Sequence, residues 1–180
     1  MFEKLRAALD AAAIPYFVSG SFASSAHGIP RSTNDIDIVI SPTREQLATL
    51  LAQFPASEYG KSEDDAFDAF NRRLSFNIID YATFWKIDFI LRQFTPFDAS
   101  RFKRCEVIEI AGVRMATASA EDILLTKLWW AKLGESQRQL SDAAGIVQVQ
   151  GANLDRDYVE RWVAALELDD QWEAALARTG

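Results

Sequence analysis

Several things are scarce in this chain, and each scarcity removes a class of protein. There is one cysteine, Cys105, which excludes an intramolecular disulfide and any cysteine-built metal cluster. Cys105 reads as a reduced core or strand residue, and the compartment as cytoplasm. No apolar run approaches the roughly 20 residues of a membrane span. Bases are outnumbered, with 19 Lys and Arg against 26 Asp and Glu and a net charge of −7. That argues against broad nucleic-acid binding, which relies on clustered Lys and Arg. It leaves room only for a local patch, and Arg72-Arg73, Arg92, Arg101, Lys103 and Arg104 read first as solvation of strand ends. The opening residues MFEKLRAALDAAA carry acids as well as bases on an amphipathic helix, so neither a signal nor a transit peptide is expected there.

What is present is an ordinary globular composition, with 49% apolar and 25% charged residues over 180 positions. That length is one medium domain, or a core with a helical appendage, and it buries a substantial core. Composition changes at Ala118. The expected organisation is a core over 1–117 and a helical region over 118–180.

The most informative stretch runs from Tyr16 to Ile40, YFVSGSFASSAHGIPRSTNDIDIVI. It reads as a strand (Tyr16–Ser19), a turn at Gly20-Ser21, a short helix over about Phe22–His27, a loop, and a second strand over about Ile36–Ile40. Backbone N–H groups at a helix start are free to hold an anion, which makes Gly20 and Ser21 candidate phosphate-binding residues. Asp35 and Asp37 stand at i and i+2 at the head of a strand that is otherwise apolar. Alternation points both carboxylates to one face, roughly 7 Å apart along the chain. Asp is depleted in strands, and like charges on one face repel. A divalent cation removes the repulsion, and Mg²⁺ takes one or two carboxylates together with substrate phosphates.

Strand, Gly-Ser turn and Asp35-Ile36-Asp37-Ile38, with thirteen residues between turn and acids, resemble the nucleotidyltransferase fold of the DNA polymerase β superfamily. The third carboxylate of that pattern would be Asp88, in Trp85-Lys86-Ile87-Asp88-Phe89-Ile90-Leu91. The resemblance implies an α+β (α/β-like) fold, with a mixed β-sheet flanked by helices and a C-terminal helical bundle. It implies that Asp35, Asp37 and Asp88 hold Mg²⁺ or Mn²⁺, and that Asp88 accepts a proton from an attacking hydroxyl. Gly20 and Ser21 would cradle phosphates. Arg31-x-Thr33-x-Asp35 also looks like the family, which puts Arg31 and Thr33 near the nucleotide. The bland alternative is a glycine-capped turn and a half-exposed strand with Asp on its wet side.

The rest of the chain falls into recognisable pieces. Phe2, Leu5, Leu9 and Ala13 share one face of a helix that Pro15 ends. His27 reads as a favourable charge at a helix C-terminus. Pro42, and Thr43 with Gln46 as a capping box, start another helix. Glu58–Phe70 is polar and is expected on the rim. Leu74–Ile79 and Trp85–Leu91 read as strands, with Lys86 and Asp88 on one face; that pair alone is also what an edge strand would carry. Val107–Ile110 and Val113–Met115 flank the turn Ala111-Gly112 as a hairpin. Helices are expected over about 120–133, 137–150, 156–168 and 171–177. The first of these is apolar nearly all round (Ile123, Leu124, Leu125, Leu128, Trp129, Trp130, Leu133) and should be buried. Lys127 on that helix either snorkels to water or meets an anion, and Asp142 is its natural partner.

Lys127-x-x-x-Ala131 with Arg138 and Asp142 looks like the later motifs of the AbiEii-type branch of the same superfamily, whose members belong to toxin–antitoxin systems. In that branch the lysine faces nucleotide phosphates and the late Asp completes the site. The chain is shorter than typical AbiEii toxins, and it has His27 where the minimal antitoxin-type enzymes usually carry Arg. The expected function is transfer of a nucleoside monophosphate from an NTP to an acceptor, with Asp35, Asp37, Asp88 and Lys127 as catalytic residues. Gly20, Ser21, Arg31, Thr33, Lys127 and Asp142 are the expected nucleotide contacts. The acceptor stays open between tRNA, a protein hydroxyl and a small molecule such as an antibiotic. A non-catalytic Mg-nucleotide-binding module, one partner of a toxin–antitoxin pair, and transfer of phosphate instead of nucleotide remain as alternatives.

Overall fold

Alternation along the strands gives the sheet one apolar face and one wet face, and the elements are arranged around that difference. The structure is a computed structural model that describes residues 1–179. Two compact units result, and they are not consecutive blocks of chain. The first comprises Met1–Phe22 and Ser32–Thr117; the second joins Ala23–Arg31 to the chain from Ala118 onward.

The elements of the first half are α1 (Phe2–Ala11), β1 (Tyr16–Val18), α2 (Gly20–His27), β2 (Asp35–Ile40) and α3 (Arg44–Ala52), then β3 (Tyr59–Gly60), α4 (Glu63–Arg72), β4 (Ser75–Asp80) and β5 (Lys86–Leu91). After them come α5 (Pro96–Arg104) and the hairpin β6 (Glu106–Ile110) and β7 (Val113–Thr117). The seven strands form one mixed sheet in the order β3-β4-β5-β2-β1-β7-β6. β2 runs parallel to β5, and β1 parallel to β7; the remaining pairs are antiparallel.

The apolar face carries Ile36, Ile38 and Ile40 of β2, Ile87, Phe89 and Leu91 of β5, and Phe76 and Ile78 of β4, all buried. They pack with Phe2, Leu5 and Leu9 of α1, Leu47, Leu50 and Leu51 of α3, and Ala66 and Ala69 of α4 in one cluster. Register follows from this burial. A one-residue slip of β2 would bring Asp35 and Asp37 into the cluster and expel its isoleucines, at roughly 2 kcal/mol for each large side chain uncovered. The acids are therefore fixed on the other face.

Local signals hold where caps are strong. Gln46 N–H donates to Thr43 Oγ1 at 3.3 Å and Gln46 Oε1 accepts from Thr43 N–H at 2.8 Å, closing the capping box. The Ala111-Gly112 turn has positive φ at both positions, as a two-residue hairpin loop requires. The polar stretch after Glu58 keeps Glu63, Asp64, Asp65 and Asp68 exposed, as a rim segment should, on a backbone that is packed. It forms the edge strand β3 and the helix α4, capped by Ser62 Oγ accepting from Asp65 N–H, with Ala66 and Ala69 buried. Glu63, Asp64 and Asp65 lie in the first turn, where the helix dipole favours them.

α5 is also a correction, because its basic residues read as solvated strand ends. Thr95 Oγ1 caps it by accepting from Asp98 N–H, and Pro96 opens its first turn. Arg101 and Asp98 are buried and paired at 3.0 Å, and Asp98 Oδ2 also accepts from Gln93 N–H at 2.6 Å. The Arg101 guanidinium lies 4.8 Å from the Phe17 ring, and Phe17 packs edge-on against Phe102. α5 thus covers the wet face of the sheet at β1.

The second unit is helical: α6 (Ala120–Gly134), α7 (Gln137–Gln150), α8 (Arg156–Leu166) and α9 (Asp169–Leu176), with a 3-10 turn at Gly151–Asn153. Ser119 Oγ caps α6 by accepting from Asp122 N–H at 3.3 Å. α6 is not buried all round. Trp129, Trp130 and Leu133 are 40%, 54% and 61% exposed, so its last turns carry an open apolar stripe. Ala23–Arg31 enters this unit because Gly28 allows it: a Cβ there would stand 3.0 Å from the Ile146 backbone nitrogen. His27 lies in the last turn of α2, as expected, and is buried there, with Nε2 donating to the Ala118 carbonyl at 2.8 Å.

The buried Asp98–Arg101 pair generates a stability prediction. Asp98→Ala leaves a buried guanidinium and the Gln93 amide without their acceptor, and urea unfolding should show a loss of about 3–5 kcal/mol. A loss under about 1 kcal/mol would mark the pair as an ordinary surface interaction.

Candidate active site

The wet face of the sheet holds its charge at the junction of β2 and β5. Parallel pairing sets Asp35 beside Lys86 and Asp37 directly beside Asp88. On the far side of β5, the neutral Asn77 of β4 stands opposite Asp88. Each of these side chains shares a face because register partners do, and because residues two apart on a strand do. Asp35 is exposed, while Asp37 and Asp88 are half-buried. Thr33 Oγ1 accepts from Asp35 N–H at 3.2 Å and so fixes the chain where β2 begins.

Gly20 stands against this group. Its φ is +59°, and a Cβ on it would fall 1.8 Å from Asp37 Oδ2. Only glycine fits there, on backbone grounds and on space. α2 starts at Gly20 itself, two residues earlier than the sequence suggests, so Gly20 and Ser21 are its first residues and not a separate turn. Ser19 N–H donates to the Asp37 carbonyl at 2.8 Å, which ties the end of β1 to the middle of β2. The first N–H groups of α2 therefore open beside Asp37.

Lys86 supplies the positive charge of this face. Its Nζ lies 2.8 Å from Asp88 Oδ2. The hydrogen bond to Asp88 holds the ammonium above the usual lysine range against the opposing effect of partial burial, and the charges of Asp88, Asp35 and Asp37 add to it. Among the described residues, no group of three or more His, Cys, Asp or Glu side chains is close enough as it stands to hold a metal ion. The donor chemistry of Asp35, Asp37 and Asp88 is nonetheless that of a hard divalent cation: three carboxylates on one face and no sulfur or imidazole. Sequence reading placed Lys86 and Asp88 on one face but allowed an edge strand. β5 is internal, between β4 and β2.

A second cluster lies in the helical unit. Lys127 is 4% exposed, and its Nζ meets Asp142 Oδ2 at 2.7 Å. Arg31 Nε approaches the same oxygen at 3.5 Å, and its backbone N–H donates to Ser25 Oγ at 3.2 Å. Of the two fates open to Lys127, it meets an anion, and that anion is the protein's own. Arg31, Lys127 and Asp142 thus form one group, while Thr33, two residues from Arg31, belongs with Asp35.

This sheet order, with paired carboxylates on β2, a third on the neighbouring parallel strand and a helix starting at the glycine beside them, is a nucleotidyltransferase fold. The chain superposes on ANT(2″)-Ia in complex with adenylyl-2″-tobramycin with a TM-score of 0.62 at 19% identity, covering 92% of this chain and 94% of that one. An antigenic nucleotidyltransferase-like protein from Paracoccidioides brasiliensis gives 0.54 at 17% identity, over 98% and 91%. The lincosamide antibiotic adenylyltransferase LnuA, lincomycin-bound, gives 0.53 at 10% identity, over 83% and 98%. No family model and no curated protein matches the sequence.

Two variants probe the two clusters. Gly20→Ala should displace Asp37 and strain the helix start, lowering stability by about 1–3 kcal/mol in urea. An unchanged midpoint would mean that the contact relaxes freely. Lys127→Met keeps the aliphatic volume, and on sequence grounds stability would hold or rise. With Asp142 left buried beside Arg31 alone, the structure instead predicts a loss of about 3 kcal/mol, read by the same titration.

Proposed function

We propose that this protein is a metal-dependent nucleotidyltransferase that moves a nucleoside monophosphate from an NTP to an acceptor hydroxyl and releases pyrophosphate. One observation carries the reading: Asp37 and Asp88 are register partners on adjacent parallel strands, Asp35 shares their face, and a glycine with positive φ packs on Asp37. Like charges so arranged gain nothing as packing. They suit a divalent cation, and the residues fit Mg²⁺ or Mn²⁺ by donor type and by common face. Asp35, Asp37 and Asp88 would hold it, and when bound it supplies positive charge against the triphosphate.

The chain's own groups do the rest. The N–H groups at Gly20 and Ser21 receive the β- and γ-phosphates at the start of α2. Asp88 takes the proton of the acceptor hydroxyl as that oxygen attacks the α-phosphorus. The bond from the α-phosphorus to its bridging oxygen breaks, and pyrophosphate leaves with the electron pair. Thr33 and Ser19 position Asp35 and Asp37 through backbone contacts and need not touch substrate.

For the acceptor we propose the hydroxyl of a small molecule in the cytoplasm. The antibiotic-bound neighbours support that class, and a net charge of −7 is unfavourable for an RNA acceptor. The experiment is incubation with Mg²⁺, α- or γ-labelled NTP and a panel of hydroxyl-rich small molecules. Label should pass to product from the α position only. Transfer from the γ position would make the enzyme a phosphotransferase. Label on RNA or on a protein would instead fit the toxin–antitoxin setting that the later motifs resemble. Asp37→Asn should abolish transfer by orders of magnitude, while metal-free stability in urea stays level or rises by on the order of 1 kcal/mol. A variant that unfolds readily, yet whose folded fraction turns over normally, would sink the assignment.

A further inference from the structure

The charge count on the wet face of β2, β4 and β5 is unbalanced, and Lys86 offsets part of it. Asp35, Asp37 and Asp88 bring three negative charges to the β2–β5 junction. Across from them β4 offers only the neutral Asn77 beside Asp88 and Ile79 beside Lys86. Lys86 is the one cation on this face of β2, β4 and β5, and its Nζ sits 2.8 Å from an oxygen of Asp88. Its backbone is fixed: Lys86 N–H donates to the Asn34 carbonyl at 3.1 Å, and the neighbouring Trp85 stacks on Phe22 with ring centroids 5.6 Å apart. The side chain is not fixed to the same degree, since 37% of it is exposed. A lysine stem is flexible and carries a compact point charge.

We infer that Lys86 is a tethered counter-cation of the carboxylate face, occupying Asp88 when no divalent ion is bound and yielding it when one arrives. This rests on the metal-dependent reading of Asp35, Asp37 and Asp88, and it makes Lys86 a positioning residue that sets metal affinity. Two consequences follow from electrostatics. Without metal, the ammonium offsets part of the repulsion among three carboxylates and keeps Asp88 oriented. With metal, it competes for the same oxygen and, once displaced, remains a like charge near the ion. Its presence therefore weakens binding of the free ion and stabilises the empty site.

The probe is Mn²⁺ alone, titrated without nucleotide into the EDTA-dialysed full chain and followed by electron paramagnetic resonance of the free ion. Lys86→Met and Lys86→Gln both remove the charge, and either suffices if the other fails to fold. The neutral variants should bind Mn²⁺ more tightly by on the order of fivefold, the reach of a partly exposed ion pair. Lys86→Arg keeps the charge and should stay within about twofold of the native chain. The neutral variants should also melt lower than the native chain in EDTA and recover that deficit at saturating Mn²⁺, which a surface pair uninvolved with the metal would not show. Equal or weaker Mn²⁺ binding by the neutral variants overturns the role of Lys86 and leaves the metal reading standing. No Mn²⁺ binding by any of the chains, native included, overturns both.

Discussion

The parallel pairing of β2 with β5 is the constraint on which the rest of this structure depends. It places Asp37 beside Asp88 and Asp35 beside Lys86, a concentration of charge that no sheet adopts for its own stability. The apolar side of the same strands holds it there. Ile36, Ile38, Ile40, Ile87, Phe89 and Leu91 are all at or near zero exposure, and they permit no other register. A well-packed face opposite thus compels an electrostatically unfavourable face to exist.

The neighbourhood of that junction is arranged to tolerate the charges and to leave space beside them. Gly20 removes the one Cβ that would collide with Asp37. α2 begins at that glycine, so its first turn starts beside the Asp37 carboxylate. α5, with its buried Asp98–Arg101 pair, closes the wet face over Phe17. At the charged end of β2 and β5, Asp35 is exposed, and Asp37, Lys86 and Asp88 are half-buried. These are the features on which the proposed binding of a metal-bound nucleotide rests.

The fold is shared with proteins of 10–19% identity, two of which are seen with different small molecules, adenylyl-2″-tobramycin and lincomycin. Fold alone does not carry function, so the proposed chemistry rests on the residues at the junction. The helical unit adds two features outside that junction. Lys127, Arg31 and Asp142 form an ion cluster there, and Trp129, Trp130 and Leu133 leave an apolar stripe on α6 open to solvent.

Strand periodicity, glycine, proline and capping residues determined much of this protein by themselves. The i, i+2 spacing of Asp35 and Asp37 put them on one face, the capping box at Thr43 and Gln46 started α3, and Ser119 with Asp122 started α6, because each is a local rule acting over two to four residues. Lys127 and Asp142 could be paired from their places on successive helices. Other features needed the tertiary structure. The acids after Glu58 are solvated as they looked, but the packing of Ala66 and Ala69 that holds their helix in place could not be read. Arg101 looked like a solvated base and is buried against Asp98 and Phe17. His27 lies at a helix C-terminus as it looked, but its burial and its hydrogen bond to the Ala118 carbonyl could not be read. Trp129 and Trp130 looked buried and are not. Whether β5 was an edge or a central strand, and hence whether Lys86 and Asp88 formed a surface pair or part of a carboxylate site, rested on which strand it joined. That pairing links residues about fifty positions apart, and it is settled by which apolar faces bury together, a property of the whole sheet that no short stretch of sequence contains.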